Sequence, residues 1–253
     1  MNDVLVAREQ VRYEQKAYWR NPMAAFFTFM FPVVFLVVVG SSAGSFRVPG
    51  TTLRYNQYVV VAMLVFGLIG ACYTNLAMTI CLRRDNGMLK RMRGTPISIG
   101  SYMGGIIGSV MINVAILAVI VVGIGMVFYH LHFPYHLAAA LLTLAVGIVT
   151  FCALGLAVTI LVTNADAAPA VVNGIYLPIV FISGVFYPVS NGSVLSKIAD
   201  FFPIRHMVTA LVASFENSPG SGLRVDDLVV MLIWAVGGLI FTARRFRWEP
   251  RHR

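Results

Sequence analysis

The sequence predicts an all-α integral membrane protein with six transmembrane helices. Two kinds of observation point there. Of 253 residues, 58% are hydrophobic and only 11% are charged, against about 45–50% and about 25% in soluble domains. The chain also holds six apolar stretches of about the length, roughly 20 residues, that a helix needs to cross a bilayer core. A soluble fold of this length cannot hide so much apolar surface, so lipid is the solvent for most of the chain. The net charge of +9 gathers between the apolar stretches. That pattern suits anionic headgroups and loop orientation better than a nucleic-acid partner.

The N-terminal segment 1–22 mixes both charge signs, unlike a secretory signal. Val4, Ala7, Val11 and Tyr18 recur at helical spacing opposite Arg8, Arg12 and Lys16. The spacing predicts an interfacial helix with Trp19 at headgroup depth; a disordered basic arm is the alternative. Asn21-Pro22 breaks that helix and turns the chain into the membrane. The spans follow at about 23–43, 57–80, 99–128, 136–162, 168–187 and 226–243. Within the third, Gly100, Gly104 and Gly108 stand four apart, a spacing that permits close helix approach. Pro169 opens the fifth span and Pro178 interrupts it. The apolar run 194–202 is too short to cross, which suggests helices dipping back from the outer side.

Fourteen of the 19 basic residues fall in 1–22, 82–98 and the C-terminal tail. The excess places those three segments in the cytoplasm; the expected location is a bacterial cell membrane, which the chain crosses several times.

Several chemistries lose ground. No Asp, Glu, Lys or His sits in the middle of any span, as ion-driven transport usually requires. Asp166 reads as part of a turn capping the fifth span. His130, His132 and His136 have no carboxylate or thiol beside them and read as loop histidines. Cys72, Cys81 and Cys152 read as apolar packing residues. No lysine stands in a phosphate-binding Gly-Lys-Ser/Thr context, so no cofactor is expected on this chain and any ATP chemistry must come from another.

The stretch 83–96, RRDNGMLKRMRGTP, holds five basic residues between long uncharged runs. It reads as a short helix whose Met88, Leu89 and Met92 form an apolar face and whose cations face water. A helix this short needs a membrane or a partner to hold it.

Three motifs in order resemble the membrane subunit of an ABC-2-type exporter, drug- or antibiotic-exporter-like: RNP at 20–22, DNGMLKRMRGTP at 85–96, and FISGVFYP at 181–188 followed by IADFFPIRH at 198–206. The resemblance covers nearly the whole chain, as a single domain over 1–253. It implies a coupling loop over 82–98 that docks on a separate ATPase through Arg83, Asp85, Gly87, Leu89, Lys90, Arg91 and Arg93. Asp85-Asn86 departs from the family's usual acidic-basic pair. It implies two ATPase copies and a second membrane subunit, the same chain or a related one. Re-entrant helices are implied over 188–225, with an outer gate at Ser183, Gly184, Phe186, Tyr187 and Pro188.

Spans one, two and five carry Phe26, Phe29, Phe35, Phe66, Tyr73, Tyr176 and Phe181. Of these, Phe29, Tyr73, Tyr176 and Phe181 are the candidates for a substrate path. An aromatic path without charge suits a lipophilic or amphipathic substrate. A polysaccharide or glycolipid exporter is the alternative, as is a regulatory subunit that moves nothing. The topology predicts that cysteines introduced as Gly87→Cys and Asn191→Cys, in a chain lacking its own cysteines, label from opposite faces of the membrane. Labelling of both from outside intact cells contradicts it.

Overall fold

The computed structural model describes residues 3–42, 46–94, 98–189 and 194–245. Among them the regular structure is helical, apart from an isolated bridge between Arg47 and Arg54. The helices are α1 (Asp3–Trp19), α2 (Pro22–Ser41), α3 (Tyr55–Asp85), α4 (Met88–Arg93), α5 (Ile99–Tyr129), α6 (Leu137–Val158), α7 (Ala168–Ile182), α8 (Val194–Ala199), α9 (Pro203–Phe215) and α10 (Val225–Arg245). Five of them, α2, α3, α5, α6 and α10, are long and apolar enough to cross a membrane. The fifth predicted span forms a shorter helix than its apolar sequence suggests. α7 has 15 residues, about 22 Å of rise against a bilayer core of about 30 Å. It stops where Gly184 adopts φ +86, a conformation that only glycine holds without strain.

α3 is the axis of the bundle. Tyr58 to Val65 are buried on every side of the helix, as expected of a helix apolar all round. α2 and α5 flank its first half and α6 crosses its second half. At that crossing a Cβ on Gly155 of α6 would stand 2.8 Å from the Cys72 carbonyl oxygen. Only glycine allows so close an approach. The approach falls on a π-helical turn of α3, Gly70–Asn75. α10 packs along α6, and α9 fills the space between α10, α6 and α3 with Ile204, Met207, Leu211 and Phe215. The outer faces of α2, α5 and α10 stay apolar and uncovered, for example at Phe27, Val38, Val119, Val127, Ile233 and Val236. Such surface belongs in lipid or against another subunit.

α1 lies along α5 rather than standing free. A Cβ at Gly105 or Gly108 would run into Gln10 or Val11, whereas Gly100 and Gly104 face open space. The close-packing face of α5 is therefore Gly105/Gly108, not the Gly100/Gly104/Gly108 row. The Gln15 amide donates to the Ser109 carbonyl and to the Asn113 side chain at 2.8 and 3.1 Å. Asn21 caps α2 by accepting from the Ala24 amide, which fixes the turn at Pro22. At the turn before α7 the capping acceptor is Asn164, which takes the Ala167 amide at 2.8 Å; Asp166 makes no such cap.

Arg84 closes the basic end of α3. It is 2% exposed, and its guanidinium donates to the Thr159 and Val162 carbonyls at 2.9 and 2.7 Å. These are carbonyls at and beyond the C-terminus of α6, which carry its partial negative charge. Arg84→Ala removes both bonds and leaves a cavity. It should lower stability by about 3 kcal/mol, read as loss of thermal stability in detergent. Arg84→Lys, which can reach fewer acceptors, should fall between.

Candidate functional site

Two sites can be built from the described residues, one at each end of α3. The first is the basic end. The predicted short helix over 83–93 is in fact two pieces. α3 runs through Arg83, Arg84 and Asp85, and α4 starts only after Gly87, whose φ is +66. The cations at 83 and 84 therefore do not face water. Arg83 grips Glu14 of α1 with two bonds of 2.7 and 2.6 Å and reaches the Tyr102 hydroxyl of α5 at 2.8 Å. Its side chain is only 11% exposed and that of Glu14 only 7%. Fork-to-carboxylate geometry of this kind is the strong form of the interaction. Asp85 accepts from the Ala165 amide. Three successive side chains thus tie α3 to α1, to α5 and to the end of α6.

Leu89 is likewise turned inward. It is 1% exposed and belongs to the core, with Met92 packed against that core. The resemblance places Leu89 among the residues that dock on the ATPase; in the structure it anchors α4 to its own chain. What α4 and the end of α3 leave outside is Leu82, Met88, Lys90 and Arg91. Nothing lies within 4 Å of a Cβ built on Gly87. The side chain of Arg93 lies outside the described residues. Beside the ion pair, α1, α3 and α5 enclose a mixed cavity of about 290 Å³ that includes Glu14, Arg83, Asn75 and Thr79.

The second site is the far end. Tyr58 donates to the Gly184 carbonyl and Tyr55 to that of Phe186. The Ser183 hydroxyl turns back to the Ile179 carbonyl at 2.6 Å. The segment after α7 is thereby held on the top of α3. Phe186 packs among Phe35, Phe66 and Phe181 at ring distances of 5.2, 5.7 and 4.8 Å, while Tyr187 is exposed and Pro188 half-buried. A cavity of about 410 Å³ lies beneath this segment, with Ser183, Arg205, Glu216 and Arg224 in its wall. The turn before α9 is fastened to α10 nearby. Trp234, about 13 Å down α10 from Val225, donates to the Phe201 carbonyl at 2.9 Å.

The four predicted path residues do not come together. Phe29 stacks on Trp19 at 5.4 Å at the α1–α2 corner. Tyr73 and Tyr176 are buried together, with rings 5.8 Å apart. Phe181 is half exposed and touches Phe186. Phe66 links the groups, lying 5.6 Å from Phe31, 6.1 Å from Tyr176 and 5.7 Å from Phe186. The sequence reading missed Glu14 and Tyr102 as partners of Arg83. A signal was present: Glu14 falls at the i+3 position from Val11, on the apolar face of α1, where a carboxylate needs a cation. Residues 9–215 match the family described as ABC-2 type transporter. No curated protein matches the chain.

His206 gives the far end a pH dependence. Its Nδ1 lies 2.6 Å from an Asp227 carboxylate oxygen and its Nε2 lies 2.7 Å from the Asp200 carbonyl oxygen. Both partners are acceptors, so both ring nitrogens carry protons and the imidazolium is favoured. The Asp227 bond raises the His206 pKa above its ordinary value, against opposition from burial. A raised pKa adds stability in full below the unfolded value, about 6.5, and loses it as pH rises through the folded value. Thermal stability should therefore fall as pH climbs above about 6.5, and His206→Gln should flatten that fall.

Proposed function

The chain belongs to the ABC-2 type transporter family, and we propose that it serves an exporter of a lipophilic or amphipathic substrate, drug-, antibiotic- or lipid-like. Membership makes it the multi-pass membrane subunit of an ABC transporter. In our reading both termini and α4 lie in the cytoplasm. Two copies of a separate ATPase, which hold the ATP and magnesium, dock there. A second membrane subunit completes the path, and the 183–188 segment with α8 and α9 forms the outer gate, re-entering the membrane from outside.

The observation that carries the reading is the construction of the basic end. α4 keeps Leu89 and Met92 against its own chain, leaves Met88, Lys90 and Arg91 exposed, and connects through Arg83, Arg84 and Asp85 to α1, α5 and α6. A force applied to α4 would reach α3 and, through it, α1, α5 and α6. The docking set becomes Leu82, Gly87, Met88, Lys90 and Arg91, while Arg83, Asp85 and Leu89 position it. Gly87 permits close backbone approach by a partner.

Co-purification of the ATPase and transport in proteoliposomes test this. Met88→Glu and Gly87→Trp should abolish both while the membrane subunit keeps its own stability to within about 2 kcal/mol. Arg91→Ala should weaken docking only mildly and in a salt-dependent way. Leu89→Ala should instead lower the stability of the membrane subunit itself, by about 2–5 kcal/mol. Normal docking and transport in both Met88→Glu and Gly87→Trp would sink the coupling role.

A further inference from the structure

A third cavity lies between α3, α6, α7, α9 and α10, open on one side past Leu161, Ile175 and Phe241, and neither end site uses it. Its volume is about 260 Å³, close to the lower bound of roughly 300 Å³ for small-molecule sites. Phe151, Leu154, Ile175 and Trp234 wall it, and no charged side chain lines it. The Tyr73 and Tyr176 rings complete the wall. Both residues are more than nine-tenths buried, and among the described residues neither hydroxyl has a hydrogen-bond partner. The Thr74 hydroxyl, next in the π-helical turn, is buried without a partner as well. Buried polar side-chain atoms are rarely left unpaired, and each exception calls for an explanation. Packing does not explain these. Phenylalanine would fill the same space at either tyrosine without the desolvation penalty.

We propose that this cavity binds, within one subunit, a small uncharged lipophilic molecule whose carbonyl-type acceptor takes up the Tyr73 and Tyr176 hydroxyls. The apolar wall selects bulk without charge, and the two phenols supply donors. The hydroxyls sit behind the wall surface, and a change of χ1 rotamer at either tyrosine, of the kind common on binding, swings its O–H toward the cavity. A bilayer lipid fits less well. Tyr73 lies about 27 Å along α3 from Tyr55 and about 18 Å from Asp85, deep in the apolar part of the helix and away from the headgroup depth of ester carbonyls. An acyl chain at that depth would leave the hydroxyls unpaired. The inference deepens the exporter reading by giving the cargo's chemistry and rests on that reading only for the steps after binding. Capture is measured without any ATPase, so a failure to bind is distinguished from a failure to export.

The test uses the full-length chain in lipid nanodiscs. Benzophenone, an uncharged diaryl ketone that crosslinks on illumination, is the probe. Diphenylmethane, of similar shape without the carbonyl, is the competitor. Saturable labelling of the Phe151, Ile175 and Trp234 wall is expected, with diphenylmethane competing about tenfold more weakly than unlabelled ketone. The double variant Tyr73→Phe/Tyr176→Phe should raise the half-saturating ketone concentration about tenfold and erase the difference between the two compounds. It should melt at the same temperature as the parent or higher, since it removes unpaired hydroxyls. Ile175→Trp fills the cavity from the α7 side and should abolish wall labelling. It provides an independent check if the double variant does not fold. Labelling that does not saturate, or that is unchanged in these variants, overturns the proposal. Saturable labelling of the same wall by a phospholipid with a diazirine in its acyl chain, insensitive to the Tyr→Phe changes, assigns the cavity to lipid and also overturns it.

Discussion

Two consecutive arginines at one end of α3 solve the problem on which the rest of the fold depends. A cation next to an apolar bundle must be matched, or its desolvation outweighs the packing around it. Arg83 and Arg84 point to different sides of α3, and the protein matches each differently. Glu14 neutralises the first, with Tyr102 as a further acceptor. The second has no carboxylate and uses the carbonyls left unpaired at the end of α6. That choice satisfies two requirements at once, because those carbonyls would otherwise lack donors. The position of α1 and the end of α6 both follow from it. So does the exposure of α4, which begins only after these contacts have fixed Asp85.

The middle of α3 is built on a different constraint. A π-helical turn inserts a residue and leaves a step in the hydrogen-bond ladder. α6 covers that step with Gly155, set against the Cys72 and Tyr73 carbonyls. Tight backbone contact at Gly155 adjoins a cavity, lined by Leu154 and Val158 of the same helix, where Tyr73 meets Tyr176. Rigid contact at both ends with a step between them makes the middle of α3 the place where its two halves can shift against each other.

Much of the architecture was legible in the sequence because lipid imposes length and composition on a helix. The apolar spans, the Asn21-Pro22 turn and the exposed cations of α1 follow from spacing alone. The end of α7 was less legible, since Val185 and Phe186 continue the apolar run and only Gly184 signals the stop. The glycine row in α5 misled for another reason. Periodicity finds a face but not its partner, and the partner is α1 at Gly105 and Gly108. Arg83, Arg84 and Leu89 were misplaced by a rule that is usually sound, that cations in a loop face water and an isolated apolar face seeks a partner. Here the helix runs on beneath them, and the residues that match them lie far away in sequence, at Glu14 and Thr159.

The two end sites share one long element. α3 extends over 31 residues, about 46 Å. At its start Tyr55 and Tyr58 hold the carbonyls of Phe186 and Gly184. At its finish Arg83 to Asp85 hold α1, α5 and the turn before α7. α7 itself begins beside Asp85 and ends at the segment held by Tyr55. Both ends of this short helix are therefore fastened to the same long one. A displacement of α4 along the axis of α3 would move both fastenings together. A tilt would separate them, with the π-helical turn and the Tyr73–Tyr176 contact between. In the exporter reading, coupling then needs no wire of residues from end to end. It needs α3 and α7 to shift about the π-helical turn beside the Tyr73–Tyr176 contact, and a ligand in the adjoining cavity would bias that shift.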